Sequence, residues 1–572
     1  MSFRPNINVL LVLQIIDKMN WSMKFSRMIL FSSICKPVRG MFFVNLFFLN
    51  LISSSFCLYF DFSWFSSICV LCLSASVSYL ESLIFLLLNR YGYSKFYAVI
   101  VFSIYYVLIV VESFMLYKFQ LIINYDFFVI LSATNSLEII NFVETYLKLK
   151  YVLFYILYGG GVFVLVFVLS KIITSWCYER YAVIISCIGF LIWLLCIWSF
   201  ILNHDGLLIP QYSTLTRSTY LYYHYVKKKQ EIVKLRETCK NVEVAQTDLR
   251  KPTIVVILGE SFSVYHSSLY GYEKITNPLL SKRISDGSMV VFDNVVSLYD
   301  GTSPSMEAIF SLDSLKEDYT TKAMFPACFK SAGYFTALYD NECLVNKGLS
   351  FLADKEWSDL MFDVRNEKGY QYDGQMIDEM LINDSISLYV IHLWGQHYAY
   401  EKRYPKSFLK FEADDYDIKF SKSQREIIAH YDNATLYNDY VVNEILNKFK
   451  DSYCCVFYLS DHGEEVFELR DYMGHGNAKH SPNLNYQIRI PLFVWFSPSF
   501  LSENGNLMEI MKERVHDPIC SDDIGHTLLD VAGISTKDFV PSRSFVNKKF
   551  NRRRHRVVLN SIDYDDYYIN NR

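Results

Sequence analysis

Residues able to bind a metal stand directly after the apolar runs of this chain. Gly259-Glu260-Ser261 follows the run from Thr253 to Leu258, and His392 follows the run from Ser387 to Ile391, with His397 five residues on. Ser460-Asp461-His462-Gly463-Glu464 follows Cys455 to Leu459, and Gly474-His475-Gly476 comes shortly before a fourth run, Pro491 to Trp495. Carboxylate oxygen and imidazole nitrogen together suit Zn²⁺ better than Ca²⁺ or Mg²⁺, which favour all-oxygen shells. An Asp-His pair on a tight Gly turn can grip one cation. The nucleophile candidate is Thr302, in Asp300-Gly301-Thr302-Ser303-Pro304-Ser305-Met306, where a helical pattern begins. A hydroxyl there faces free N–H groups that stabilise phosphate oxygens. Bland readings stand beside these: Thr302 or Ser303 as a helix cap, Glu260 as another, and each His as an ordinary hydrogen-bonder.

Elements must hold these groups together. Continuous β-branched runs are strands buried on both faces of a parallel sheet. Helical patterns such as 425–449 separate them, which predicts a doubly wound α/β domain over 251–572, with ligands beyond the carboxyl ends of the strands. Residues 1–203 hold 13 of the 55 Lys and Arg and 8 of the 59 Asp and Glu, so they are net positive and the remainder is net negative. A helix needs about 20 apolar residues to cross a bilayer. Five segments qualify: 41–60, 64–89, 96–119, 151–174 and 181–202. Glu81 and Glu112 fall inside spans, where each needs a partner in the bundle or a function. Lys and Arg cluster before span one, after span two and after span four, which puts the N-terminus inside and everything after about 203 outside. In a bacterium that is an inner-membrane protein with a periplasmic catalytic domain. Residues 204–250, rich in Tyr and Lys, read as an amphipathic linker at the membrane surface. The mild charge balance gives no sign of nucleic-acid binding.

The assembled motifs resemble the bacterial phosphoethanolamine transferases of the alkaline phosphatase and sulfatase superfamily. The resemblance rests on Gly259-Glu260-Ser261 with Ser268-Leu-Tyr-Gly-Tyr272, the Gly-Thr302 turn, and His392 to His397 with Lys402-Arg403-Tyr404. It rests also on Tyr431-Asp-Asn433, Ser460 to Glu464, and Gly474-His475-Gly476. It implies Glu260, Thr302, Asp461 and His462 as ligands of one or two zinc ions, and Thr302 as nucleophile. It implies His397 and His475 as a second pair that binds the substrate phosphate or a second zinc, His392 in proton transfer, and Thr134 and Glu138 at the donor headgroup. The implied reaction moves phosphoethanolamine from phosphatidylethanolamine to an envelope glycolipid, lipopolysaccharide core or lipid A, by a monomer. The Ser268–Tyr272 and Asp461–Val466 stretches are nearest the branch that modifies core heptose. Two departures stand out: no Cys flanks Thr302, and Ile130 stands where the family often has Asn. The competing readings are glycerophosphate transfer from phosphatidylglycerol and sulfatase-like hydrolysis; no Arg follows Ser303-Pro304-Ser305 as a sulfatase pattern requires.

Overall fold

In the computed structural model the described residues are 36–570, apart from 60–63, 120–121, 124–126, 128–138, 140–141, 145, 147–148, 174–178, 202–213, 241, 248–249, 313–320, 342–356, 364–369 and 384. Thr134, Glu138 and Ile130 therefore lie outside the described residues. The chain forms two compact units, Met1–Tyr125 with Leu147–Tyr223, and Asp126–Tyr146 with His224–Arg572.

The first unit is helical: α1 (Met41–Ser55), α2 (Trp64–Asn89), α3 (Ser94–Phe119), α4 (Leu149–Ile173) and α5 (Glu179–Ile201). Among the described residues four helices are long and apolar enough to cross a membrane. The fifth expected span falls on α5, whose apolar stretch counts as a shorter one, Tyr181–Ile192. Both intramembrane carboxylates are partnered. Glu81 accepts from Asn50 Nδ2 at 3.3 Å and Tyr105 Oη at 3.1 Å. Glu112 pairs with Arg217 and accepts from Thr214 and the Ile123 amide. The linker region forms one long helix, α6 (Thr214–Lys240), and the division between the units falls within it, after Tyr223.

The second unit is built on a seven-stranded sheet. Its strands are β1 (Thr253–Gly259), β2 (Met289–Phe292), β3 (Phe335–Asp340), β4 (Leu360–Asp363), β5 (Ser387–His392), β6 (Cys454–Ser460) and β7 (Leu492–Phe496), in the spatial order β2-β7-β6-β1-β5-β3-β4. All four apolar runs are strands of this sheet. Residues alternate between its faces. Ile254, Val256 and Leu258 join one buried cluster and Val255 and Ile257 another, so both faces are covered. The sheet is mixed rather than parallel throughout: β7 runs antiparallel to both β6 and β2. No long crossover helix separates β6 from β7. The chain between them holds a small hairpin (Glu465–Val466 with Met473–Gly474) and a four-residue helix, and it returns directly. Helix α8 (Lys422–Phe449) begins at Ser421, whose side chain accepts from the Gln424 amide in a capping box. The nucleophile helix is α7 (Thr302–Phe310).

Candidate metal centre

Strands β1 and β6 are neighbours in register, with Gly259 opposite Ser460. The residues that follow each of them therefore emerge side by side at one sheet edge. The Asp461 amide donates to the Gly259 carbonyl at 3.2 Å, which ties the two exits together. Ser261 adopts a left-handed φ of +55°, a strained turn that throws the chain away once Glu260 has been placed. Tyr431, from α8, braces the turn: its hydroxyl donates to the Ser261 carbonyl at 2.6 Å and accepts from the Ser263 amide at 2.7 Å.

Glu260, Asp461 and His462 are each fully buried and offer ligand atoms within 4.8 Å of one another. His462 Nε2 lies 3.4 Å from Glu260 Oε1 and 3.1 Å from Asp461 Oδ2. Its Nδ1 sits 2.8 Å from the Gly463 carbonyl, which can only accept. That contact puts the ring proton on Nδ1 and turns the Nε2 lone pair into the cluster, the tautomer a metal ligand needs. Asp461 Oδ1 is occupied by the His462 and Ser261 amides at 2.8 and 3.2 Å. Its Oδ2 accepts no hydrogen bond among the described residues.

Thr302 completes the group. Its hydroxyl lies 3.3 and 3.4 Å from the two Glu260 oxygens and 3.4 Å from His462 Nε2. It is the first residue of α7, and Gly301, in extended conformation, holds the cap position without any side-chain cap. The hydroxyl is thus directed at the cluster rather than spent on capping.

Two buried carboxylates against one imidazole demand positive charge. Burial alone would raise the Asp461 carboxyl, yet the His462 ring against it holds it well below the usual range; the same carboxylates push His462 well above its ordinary value. Either a proton or a cation must sit among these atoms, and oxygen and nitrogen donors converging from four residues fit a divalent metal ion.

The other expected residues divide. His475 is beside the cluster, its ring centroid 3.9 Å from that of His462, and it is one-quarter exposed. Its Nδ1 is held by Glu464 Oε2 at 2.7 Å, and Glu464 Oε1 in turn accepts from Tyr400 at 2.5 Å. Another ligand group among the described residues is His462, Glu464 and His475, which puts Glu464 beside His475. His392 ends β5, next to β1, with Nδ1 2.9 Å from Asp340 Oδ1 at the end of β3. His397 lies on a loop folded over Glu260: the Gln396 amide donates to the Glu260 carbonyl at 3.0 Å. Gly395 (φ +48°) is required there, because a Cβ would lie 2.9 Å from the Glu260 nitrogen.

Sequence reasoning gave Glu464 no role of its own and missed Asp340 and the role of Asp300. Asp300 braces the nucleophile loop through hydrogen bonds: its carbonyl accepts from the Gly476 amide at 2.8 Å and its carboxylate from the Ala478 amide at 2.7 Å. The nucleophile turn is thereby tied to the His475 turn. Cys328 is a free buried thiol.

A doubly wound sheet with a Thr hydroxyl aimed into a Glu-Asp-His cluster at its carboxyl edge defines a metal-dependent domain of the sulfatase type. Residues 252–534 match the sulfatase family model, and this part of the chain is a sulfatase-family domain. The relatives narrow this further. Phosphoethanolamine transferase EptC of Escherichia coli (strain K12) is 29% identical over 315 residues, covering 52% of this chain and 54% of that protein. Phosphoethanolamine transferase EptA of Helicobacter pylori (strain ATCC 700392 / 26695) is 30% identical over 296 residues, 49% of this chain and 53% of that one. The chain thus spans about half the length of the curated relatives it matches. Among solved structures, the C-terminal periplasmic domain of E. coli EptC superposes with a TM-score of 0.51 at 26% identity, over 57% of this chain and 96% of that one. The integral membrane lipooligosaccharide phosphoethanolamine transferase A of Neisseria meningitidis shares the fold over 88% of this chain and 97% of its own, with a TM-score of 0.60 at 18% identity.

Proposed function

We propose that this chain is a zinc-dependent phosphoethanolamine transferase of the bacterial inner membrane, its catalytic unit on the periplasmic side. The donor is phosphatidylethanolamine and the acceptor a lipopolysaccharide-type glycolipid. The observation that carries the reading is the Thr302 hydroxyl, 3.3 to 3.4 Å from both Glu260 and His462 at the start of a helix. Ligand atoms around a tetrahedral zinc at about 2.0–2.1 Å are about 3.3–3.4 Å apart, which is the spacing found among Thr302, Glu260 and His462. A calcium ion would require six to eight oxygens.

The Thr302 hydroxyl proton passes to an imidazole of the site as Oγ1 attacks the donor phosphorus, and the bond to the diacylglycerol oxygen breaks. That oxygen takes the proton back, and His475 is the first candidate to carry it, since Glu464 holds Nδ1 and leaves Nε2 for proton transfer. His392, oriented by Asp340, is the other candidate. An acceptor hydroxyl then attacks phosphoethanolamine-Thr302, its proton passes to the same imidazole, and the Thr302 hydroxyl is regenerated. Free amides of α7 face the phosphate oxygens. Zinc, when bound, lowers the pKa of the Thr302 hydroxyl and neutralises charge developing at phosphorus. Thr134 and Glu138 are assigned to the donor headgroup and His397 to the phosphate.

The test is turnover of phosphatidylethanolamine by the full chain in mixed micelles, with mass spectrometry of the peptide containing Thr302. Diacylglycerol release with a phosphoethanolamine adduct on Thr302 is expected. Release from phosphatidylglycerol instead would establish the glycerophosphate reading, and water as the sole acceptor would establish the hydrolase.

A further inference from the structure

The segment 126–146 connects two helices of the first unit, yet it groups with the second. Its described residues show how it is held. Lys402 Nζ pairs with Glu144 Oε2 at 2.5 Å. The rings of Phe142 and Tyr146 lie 5.2 Å apart, Tyr146 and Tyr398 6.2 Å, and Tyr398 and His397 4.4 Å. Four rings thus run in file from the segment to a histidine of the site loop, and each is partly exposed. The file passes acidic groups. Burial and the nearby carboxylates of Glu464 and Glu401 raise the Tyr146 hydroxyl above its ordinary range. Glu464 is the carboxylate that grips His475. Lys402 is engaged with Glu144, so this surface offers π faces beside carboxylates next to the metal centre.

Such a surface attracts a cation. An ammonium group over a Tyr or Phe ring gains about 0.5 to 2 kcal/mol, more as water is removed. We propose that Tyr146 and Tyr398, flanked by Phe142, form the subsite that takes the primary ammonium of the transferred headgroup. This rests on the phosphoethanolamine reading above and adds, to the headgroup residues Thr134 and Glu138 named there, rings from two distant stretches of sequence. Phosphate and ammonium in the transferred group are joined by two methylenes, and Glu464 links the two places: it holds His475 beside the metal centre and is among the carboxylates acting on Tyr146. A neutral headgroup gains nothing from the rings and leaves the carboxylates without a counter-charge.

The experiment compares two p-nitrophenyl phosphodiesters with the full chain in detergent. One carries ethanolamine, and the other carries n-propanol, a neutral arm of equal length. The wild type is expected to favour the ammonium ester in kcat/KM. Tyr146→Leu and Tyr398→Leu are each expected to reduce that preference by about 2- to 30-fold, through KM, while turnover of the propyl ester is unchanged. Tyr146→Phe keeps the ring and should keep the preference. No preference in the wild type, a preference that survives both Leu variants, or equal losses on both esters would each overturn the assignment. Wild-type enzyme that cleaves neither ester would instead refute the functional reading on which it rests.

Discussion

Substituting Gly463 by Ala tests the metal centre without touching a ligand. The residue follows His462 and has an ordinary backbone angle, so left-handed strain plays no part. A Cβ there would lie 2.5 Å from the Tyr486 carbonyl oxygen and 2.9 Å from that of Arg489. Unstrained carbon–oxygen contacts begin at about 3.3 Å, so the two segments must part by about 0.8 Å. The facing segment cannot simply retreat. Gln487 accepts from the Gly463 amide at 2.9 Å, and Ile488 accepts from the Ser297 amide at 2.8 Å. Overpacking costs about 1–3 kcal/mol, and weakening the Gly463–Gln487 hydrogen bond about 1 more. A loss of about 2–4 kcal/mol corresponds to roughly 3–6 °C in Tm for a domain of this size. A displacement of that order at His462 lowers turnover by about a hundredfold. Gly505→Ala is the control: nothing lies within 4 Å of its Cβ and the site is the start of a helix, so stability should rise by about 0.4–1 kcal/mol. Thermal unfolding of the full chain in detergent, with metal analysis of both variants, reads the outcome. A Gly463→Ala protein that melts with the wild type and holds its full complement of metal would refute the packing described for this loop.

Further outcomes are expected. Thr302→Ala should lower transfer by at least about a thousandfold and abolish the phosphoethanolamine adduct, with unfolding little changed, as activity assay and mass spectrometry will show. Removing metal with a chelator leaves Glu260 and Asp461 buried without a counter-ion; Tm should fall and activity vanish, and zinc, not calcium, should restore both. Glu464→Gln keeps the shape but offers His475 Nδ1 an N–H, which reverses the imidazole tautomer; kcat should drop by about a hundredfold while the protein stays folded by circular dichroism. For His266, burial opposes the charge, but Asp432 at 2.6 Å and Glu468 outweigh it and raise the pKa to about 10. Because this value is raised, the stabilisation is complete below about pH 6.5 and disappears as pH climbs through 10, up to about 4 kcal/mol. Tm of the wild type should therefore decline between pH 7 and 10, and that of His266→Gln much less.

What could be read in advance follows from the range of the forces involved. Apolar runs are local, so 64–89 became Trp64–Asn89 and the four β-branched runs became strands. Direction is not local. β7 is as apolar as β6, and nothing in its composition distinguishes antiparallel from parallel; the short return from β6 decides it. The strands Met289–Phe292 and Leu360–Asp363 carry only four residues each, too few to announce themselves, and the apolar pattern of Phe335–Asp340 is interrupted by Thr336 and ends in Asp340. Asp340 orients His392 only because β3 lies beside β5, and Glu464 reaches His475 only because the hairpin after β6 folds back.

By itself the sequence determined the chemistry available: a Glu, a Thr, an Asp and several His, each beside an apolar strand or at a helix start, in a chain divided between lipid-compatible helices and a water-compatible sheet. Those are matters of residue type and short-range periodicity. Only the tertiary structure decided which of them meet. It brings Glu260, Thr302, Asp461 and His462 together, from positions as many as 202 apart in the chain, sets Glu464 beside His475, and delivers Tyr146 to Tyr398. Distances of about 3 Å between residues so far apart are set by strand order and loop packing, and no local pattern encodes them.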